Sequence, residues 1–229
     1  MANVPGRRVG ALPRLLAVAV VAVLALAAAG EPADAARTKR IKYPPIFGSK
    51  ETQYYVIRKF KKWTGALDRF LQGKARLKLP CDPKPYANCG VQFWRKLIKE
   101  IEGEDRLTQI TVVNDYMNKA RYVRDPPNWN VKDYWETPFE FFDKQGDCED
   151  YAIIKYLTFK ALGFKQRDMR IVVVKDLNLR IGHAVLVVYH KGRPLVLDNQ
   201  TDKVVDAKRI RHYRARYSIN EKYWWSHRY

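Results

Sequence analysis

One short segment, Gly-Asp-Cys-Glu-Asp-Tyr at 146–151, constrains this chain more than any other, because it places a cysteine among carboxylates where an apolar helix begins. Residues 151–162 (YAIIKYLTFKAL) are apolar enough for a buried helix, and Gly163 is suited to end it. A cysteine in the first helical turn lies at the positive end of the helix dipole, which favours the thiolate over the thiol. The neighbouring acids act in the opposite direction, because nearby negative charge raises a thiol pKa.

Two interpretations of these acids, Asp147, Glu149 and Asp150, are open. Acidic side chains are favoured at helix N-termini, so the acids could simply cap the helix. Capping explains the acids and leaves the cysteine among them unexplained. In the second interpretation Cys148 is a nucleophile, and a positively charged group occupies the acids around it.

Three β-rich runs follow the predicted cysteine helix, at residues 170–174, 182–190 and 193–197. The dipeptide Lys191-Gly192 separates the last two runs and predicts a two-residue hairpin turn. Such a turn pairs His190 with Arg193. The same register then sets the faces of all the other residues in the two strands, because side chains alternate along a strand.

In this register Asp198 lies opposite Val185, on the same face as His183 and one diagonal step from it. A histidine that is oriented by an aspartate and faces a helix-terminal cysteine is the arrangement that nucleophilic acyl transfer requires. A three-residue loop would instead separate the two side chains, and His183 would be an ordinary strand-end residue. Register and chain order together predict Cys148 as nucleophile, His183 as base and Asp198 as the orienting acid.

The chain before the cysteine has apolar residues at helical spacing in three stretches, residues 50–74, 90–101 and 107–122. An Asp-Pro-Pro-Asn segment at 125–128 interrupts the chain before the cysteine region. The pattern therefore predicts a helical first half, followed by the cysteine helix and an antiparallel sheet. That is an α+β organisation.

Several motifs are shared with a known family: TPFEF at 137–141, GDCEDYAI at 146–153, GHAVL at 182–186, LVLDN at 195–199 and YSIN at 217–220. With these motifs the chain resembles the bacterial transglutaminase-like cysteine proteinases, the family of the LapG-like periplasmic proteases, over roughly residues 46–225. The resemblance implies a papain/transglutaminase-like α+β fold, in which a helical N-terminal half and the nucleophile helix pack on an antiparallel sheet. It also implies the same three catalytic residues, Cys148, His183 and Asp198.

The resemblance further implies a calcium ion beside the active site. Family members bind Ca²⁺ through the acids next to the nucleophile, which are Asp147 and Glu149 in this sequence. A divalent cation there would cancel the negative charge that otherwise keeps the thiol protonated. Calcium takes six to eight oxygen ligands. Other groups must complete its shell, with Asn114, Asp115 and Asp150 as candidates.

Residues 1–36 have the composition of a secretory signal. Three arginines precede an apolar run at 15–29, and small residues at 33–36 form an Ala-x-Ala exit. This layout predicts cleavage after residue 35 or 36 and export to the periplasm, which leaves 37–229 as the protease domain. An uncleaved anchor is the alternative, although the run is short for a membrane span.

Two of the three cysteines, Cys81 and Cys89, bracket a proline-rich loop. In an oxidising compartment they could form a disulfide, which would leave Cys148 as the free thiol that a nucleophile must be. Two unpaired thiols are the alternative. The spacing does not suit zinc, because no histidine pair or second cysteine pair lies nearby.

The chain is strongly basic, with a formal net charge of +19 and clusters at 37–42, 58–62 and 208–216. In a cytosolic protein this charge would indicate nucleic acid. For an exported protein we expect no nucleic-acid partner, and contact with an anionic membrane surface or an acidic protein fits better. A solvated basic surface without a partner is equally compatible.

The resemblance implies a periplasmic, calcium-dependent cysteine endopeptidase. Its substrate would be the N-terminal region of a large LapA-like surface adhesin, whose release promotes biofilm dispersal. A LapD-like inner-membrane receptor for cyclic di-GMP would sequester and inhibit it. Two other classes stay open: a transglutaminase-like amide transferase or amidase with the same triad, and a non-catalytic basic module that binds envelope components.

Overall fold

The computed structural model describes residues 43–82 and 88–229. The predicted signal segment, 1–36, lies outside the described residues, and its cleavage and the export it implies stay predictions. Within the described ranges no helix is both long and apolar enough to cross a membrane.

The described chain is built on a seven-stranded antiparallel sheet with the order β1-β7-β6-β2-β3-β4-β5. Its strands are β1 (Lys50–Tyr54), β2 (Met169–Asp176), β3 (Gly182–His190), β4 (Arg193–Leu197), β5 (Val205–Asp206), β6 (Tyr213–Ile219) and β7 (Trp224–Arg228). Strands β2, β3 and β4 are those that the sequence predicted. Strands β1, β5, β6 and β7 were not predicted.

Six α-helices occur in the described ranges: α1 (Lys61–Gln72), α2 (Cys89–Ile101), α3 (Arg106–Asn118), α4 (Asp125–Trp129), α5 (Pro138–Lys144) and α6 (Cys148–Ala161). Short 3₁₀ segments lie at Gly73–Lys78, Gln166–Asp168 and Ala207–Arg209. The α+β class is confirmed. The cysteine begins α6, as the sequence predicts.

Helix α6 is buried almost all round, which is the expected position of a helix whose residues are apolar on every face. It ends at a left-handed glycine, Gly163, with φ +80°. The next amide, that of Phe164, donates to the carbonyl oxygen of Phe159 at 2.9 Å, which closes the helix in a Schellman-type cap.

The central strands are buried on both faces. Leu186 and Val188 of β3 pack in the main core with α6, whereas Val185 and Val187 pack in a second cluster on the other face with Ile46. Sheet and helix together hold the N-terminus of α6 at a fixed place beside the strands.

The helix predicted over residues 50–74 is wrong at its beginning. Residues 50–54 form β1, which pairs with β7, and the helix starts only at Lys61. The Tyr54 ring stacks on Trp224 of β7 with centroids 4.3 Å apart. Pairing with a strand more than 160 residues away decides the conformation of this segment, and no local pattern carries that information.

Candidate active site

The motif around the cysteine builds a tightly packed N-terminus for α6. The carboxylate of Asp150 accepts the backbone N–H of Asp147 at 2.9 Å and that of Glu136 at 2.7 Å. Gly146 lies against this carboxylate, and a Cβ atom there would come within 2.7 Å of the Asp150 Cβ. Both the glycine and the final acid of the motif are therefore explained by local packing.

The β3–β4 hairpin brings the predicted base and acid together. Lys191 and Gly192 both have positive φ, 49° and 76°, as a type I′ turn requires, and His190 pairs with Arg193. Past the paired residues, His183 Nε2 lies 2.9 Å from Asp198 Oδ1. Both side chains are buried.

Two further groups fix the Asp198 carboxylate. The hydroxyl of Tyr213 donates to Oδ2 at 2.6 Å, and the backbone N–H of Gln200 donates to Oδ1 at 3.0 Å. Burial alone would raise the pKa of Asp198, but the hydrogen bonds and the charge of His183, with help from Tyr213, hold that pKa below its usual range. Because Asp198 uses Nε2 of His183, the other ring nitrogen, Nδ1, is left for a nucleophile.

The half-buried thiol of Cys148 lies between the acids and the start of β3. Its Sγ donates to Glu149 Oε2 at 3.1 Å. Burial raises the pKa of the thiol, and the charge and hydrogen bond of Glu149 raise it further, whereas the backbone N–H of Ala184 has the opposite effect. The sulfur therefore lies within reach of the backbone N–H of Ala184, the residue that follows His183. Without a cation, the acids keep this thiol protonated.

Six acids form overlapping groups next to the nucleophile. Ligand oxygens of Asp125, Asp133 and Glu149 lie within 4.8 Å of one another, as do those of Asp125, Glu136 and Asp150, and Asp147 and Glu149 form a third such group with Cys148. Three of their buried oxygens have no hydrogen-bond partner within the described residues: Asp125 Oδ1, Glu136 Oε2 and Asp147 Oδ1.

Burial and the neighbouring negative charges raise the pKa values of these acids. Burial raises the pKa of Asp125 to about 6. Burial also raises the pKa of Asp147, and burial together with the charge of Asp147 raises the pKa of Glu149. Buried carboxylates without counter-charges are costly. Among the described residues, the Lys62 ammonium pairs with Asp133, and the charge of Arg124 opposes the raised pKa of Asp147 without cancelling it.

This donor set fits a calcium-like ion. All of its side-chain ligands are carboxylate oxygens, several are orphaned, and they converge beside the sulfur, which suits a hard divalent cation. The structure places the predicted ligands Asp147 and Glu149 in this cluster and adds Asp125 and Asp133, which the sequence interpretation missed. An aspartate directly before two prolines was the available signal for Asp125.

Two of the suggested additional ligands lie elsewhere. Asn114 uses its amide oxygen to accept from Lys155 at 2.8 Å, and Asp115 pairs with Lys119 at 2.8 Å on the surface. Both belong to α3, and Asp115 is in none of the acidic groups described above. Asp150 is in the acidic cluster, although its oxygens already accept two backbone N–H groups.

The structure joins Cys81 and Cys89 by a disulfide, which leaves Cys148 as the free thiol. The bond ties the start of α2 to the segment before it, and both of its cysteines precede the catalytic motifs in the sequence.

Comparison with known proteins decides the family. The family described as bacterial transglutaminase-like cysteine proteinase BTLCP matches residues 81–227, well over half of the chain. The chain belongs to this family. As a bacterial transglutaminase-like cysteine proteinase it has the fold and the cysteine-protease class that the sequence resemblance implied.

This proteinase is similar to solved structures of Legionella pneumophila LapG. The calcium-bound LapG structure is 31% identical with a TM-score of 0.56, and the match covers 68% of this chain and 84% of LapG. The EGTA-treated LapG structure is 30% identical with a TM-score of 0.59, over 72% of this chain and 87% of LapG. Among curated proteins the comparison finds no match.

Proposed function

We propose that this proteinase is a calcium-dependent cysteine endopeptidase with Cys148, His183 and Asp198 as its catalytic residues. The observation that carries the proposal is the convergence of two features on one helix end. The buried His183–Asp198 pair lies at the start of β3, next to Ala184, whose backbone N–H acts on the thiol, and the acidic cluster with the orphaned oxygens of Asp125 and Asp147 adjoins the same thiol through Asp147 and Glu149. Similarity to LapG, which has been seen calcium-bound, supports the choice of ion.

Each of the three catalytic residues has its own role in the proposed hydrolysis of a peptide bond. His183 Nδ1 takes the Cys148 proton, and the thiolate attacks the scissile carbonyl carbon. The imidazolium then gives that proton to the leaving amine as the C–N bond breaks, and water hydrolyses the thioester. Asp198 holds the imidazole and stabilises its positive charge through the 2.9 Å contact. The backbone N–H of Cys148 at the N-terminus of α6 is a candidate oxyanion donor.

Asp125, Asp133, Asp147 and Glu149 would hold the calcium ion, with backbone carbonyls and water completing its shell. Bound there, the ion supplies positive charge that offsets the acids and lowers the thiol pKa. Glu149, engaged with the metal, would also release the sulfur that it now binds at 3.1 Å. The thiol is then free to turn to His183.

The proposed substrate is the N-terminal region of a large LapA-like surface adhesin, cleaved in the periplasm to release the adhesin and disperse a biofilm. The proposed inhibitor is a LapD-like cyclic di-GMP receptor of the inner membrane. Both proposals rest on the similarity to LapG. The predicted signal segment, 1–36, supports the compartment.

The test is incubation of a purified adhesin N-terminal fragment with the protein, in EGTA and with calcium added back, followed by mass spectrometry. We expect two fragments in calcium, none in EGTA, and none with Cys148→Ala in either condition. A mass gain in the presence of an added amine would indicate the amide transferase. Cleavage that survives both EGTA and Cys148→Ala would overturn the proposal.

A further inference from the structure

Helix α6 carries a buried lysine that catalysis does not use directly. Lys155 has no solvent exposure, and its ammonium forms no salt bridge within the described part of the chain. Its Nζ donates to the amide oxygens of Asn114 at 2.8 Å and Asn118 at 2.6 Å. A charge buried without a carboxylate partner is costly and calls for a reason.

The two asparagines carry the contact on to the loop that holds Asp198. The amide nitrogen of Asn118 donates to the backbone carbonyl oxygens of Asp198 at 2.8 Å and Thr201 at 3.0 Å. The amide nitrogen of Asn114 donates to the carbonyl oxygen of Asp202 at 3.0 Å. Each amide thus binds the ammonium with its oxygen and the loop with its nitrogen.

The arrangement connects the nucleophile and the acid. Lys155 lies seven residues after Cys148, so both side chains leave α6 on nearly the same face, two turns apart. The loop at 198–202 begins where β4 ends, at Leu197.

We propose that Lys155 is a positioning residue, which through Asn118 and Asn114 holds the 198–202 loop, and with it Asp198, at a fixed place relative to the helix that carries Cys148. The inference rests on the catalytic roles proposed above for His183 and Asp198. The attraction of Asp198 and Asp202 for the ammonium supports it, since their charges oppose the burial that lowers the pKa of Lys155 to about 7.

Stability alone does not account for this lysine. Replacing a buried charge by an apolar side chain of similar volume is often neutral or stabilising, so a merely structural lysine gains little over methionine. A positioning role makes a different prediction. The Lys155→Met variant should fold and yet lose reactivity at Cys148, because the Asp198 carboxylate shifts relative to His183.

The experiment measures the rate at which iodoacetamide alkylates Cys148, the free thiol, in the full-length protein with excess calcium, with the modified site verified by mass spectrometry. This rate depends on His183 and Asp198 and needs no protein substrate. We expect Lys155→Met to slow alkylation roughly tenfold, in line with the cost of small misplacements in an active site. In an Asp198→Ala background the same substitution should cause no further loss.

Thr158→Val is the matched control. Thr158 is buried on the same helix and accepts from Trp94 Nε1 at 2.8 Å, without a contact to the 198–202 loop. It should lower the melting temperature and leave the alkylation rate unchanged. If Lys155→Met is not recovered folded, Asn118→Ala removes the amide that links Lys155 to the loop while keeping the lysine. It should give the same two results: slower alkylation, and no further loss when combined with Asp198→Ala.

Equal losses from Lys155→Met with and without Asp198, an unchanged rate, or an equal loss from Thr158→Val would each overturn the positioning role. The failure of the proposed function looks different. In that case Asp198→Ala itself leaves the alkylation rate unchanged.

Discussion

At the residue scale, the Asp198 carboxylate shows how the site is held. His183 and Gln200 bind one oxygen, Tyr213 binds the other, and Asn118 binds the backbone carbonyl of the same residue. Each contact comes from a different part of the chain. A buried carboxylate with both oxygens hydrogen-bonded stays ionised and in one orientation, which is what the imidazole beside it requires.

Tyr213→Phe should weaken both the fold and the site. It removes the 2.6 Å hydrogen bond and leaves Asp198 Oδ2 buried without that donor. We expect the free energy of unfolding to fall by about 1–3 kcal/mol, measured by urea denaturation, and the alkylation of Cys148 to slow. Tyr189→Phe, which removes a hydroxyl bound to Pro44 at 3.2 Å, is the control and should leave alkylation unchanged. Equal alkylation rates in all three proteins would refute the orienting role of Tyr213.

Asp125→Asn should have opposite effects with and without calcium. In the calcium-free protein it removes a buried charge from a group of like charges, so the melting temperature should rise. With calcium it removes a charged ligand, so the stabilisation by calcium should shrink and the dissociation constant should increase. Calorimetry and calcium titration check both. Asp143→Asn, in a surface pair with Arg76, should change neither calcium parameter. An unchanged calcium affinity would remove Asp125 from the proposed shell.

The sequence predicts the site residues that lie within the catalytic motifs and misses those that distant segments bring to the site. Cys148, Asp147 and Glu149 are adjacent, and His183 and Asp198 are related by one hairpin turn, so local rules are enough to associate them. Asp125, Asp133 and Tyr213 join the site only through the folding of distant segments. Apart from the two prolines that follow Asp125, nothing in the local sequence distinguishes these side chains, and no spacing rule identifies them.

At the scale of elements, the β3–β4 hairpin determines whether the site exists. Its two turn residues have positive φ, one of them a lysine, and the register that they set places His183 and Asp198 on one face. The turn was predictable because a two-residue connection allows very few backbone geometries. Strand β1 was not predictable, because its partner is the last strand of the chain.

Lys191→Asn should stabilise the protein without affecting the site. Lys191 has φ 49°, a left-handed conformation that asparagine adopts more readily. We expect a gain of about 0.5 kcal/mol in the free energy of unfolding and an unchanged alkylation rate. Gly192→Val, at φ +76°, is the reverse test and should destabilise the hairpin. A stable Gly192→Val protein would contradict the assigned turn.

At the scale of the whole molecule, the acids around Cys148 set how stability depends on pH. Burial is the largest cause of the raised pKa of Asp125, about 6, and of the raised pKa values of Glu136 and Glu149. The folded protein therefore keeps protons that the unfolded chain, with carboxyl pKa values near 4, has already lost. The free energy of unfolding must therefore fall as the pH rises from about 4, the pKa of the unfolded carboxyl groups, towards the raised pKa values of the folded protein.

The calcium-free protein should accordingly melt at a lower temperature at about pH 7 than at about pH 5. Differential scanning calorimetry in EGTA at the two pH values measures the difference. With calcium the fall should disappear, since the ion binds the deprotonated carboxylates and stabilises the folded state. A chelated protein that is more stable at the higher pH would show that these acids are not the dominant titrating groups.

The pairing of β1 with β7 has a consequence for how the molecule is made. Lys50 lies opposite Arg228, so one edge of the sheet joins the beginning of the described chain to its end. Pairing β1 with β7 closes a loop of more than 160 residues, and closing so long a loop is slow. A protein lacking only residues 224–229 would leave β1 without its strand and β6 as an exposed edge, open to pairing with another chain. Strand β7 therefore protects two neighbouring strands at once, and its pairing completes this edge of the sheet.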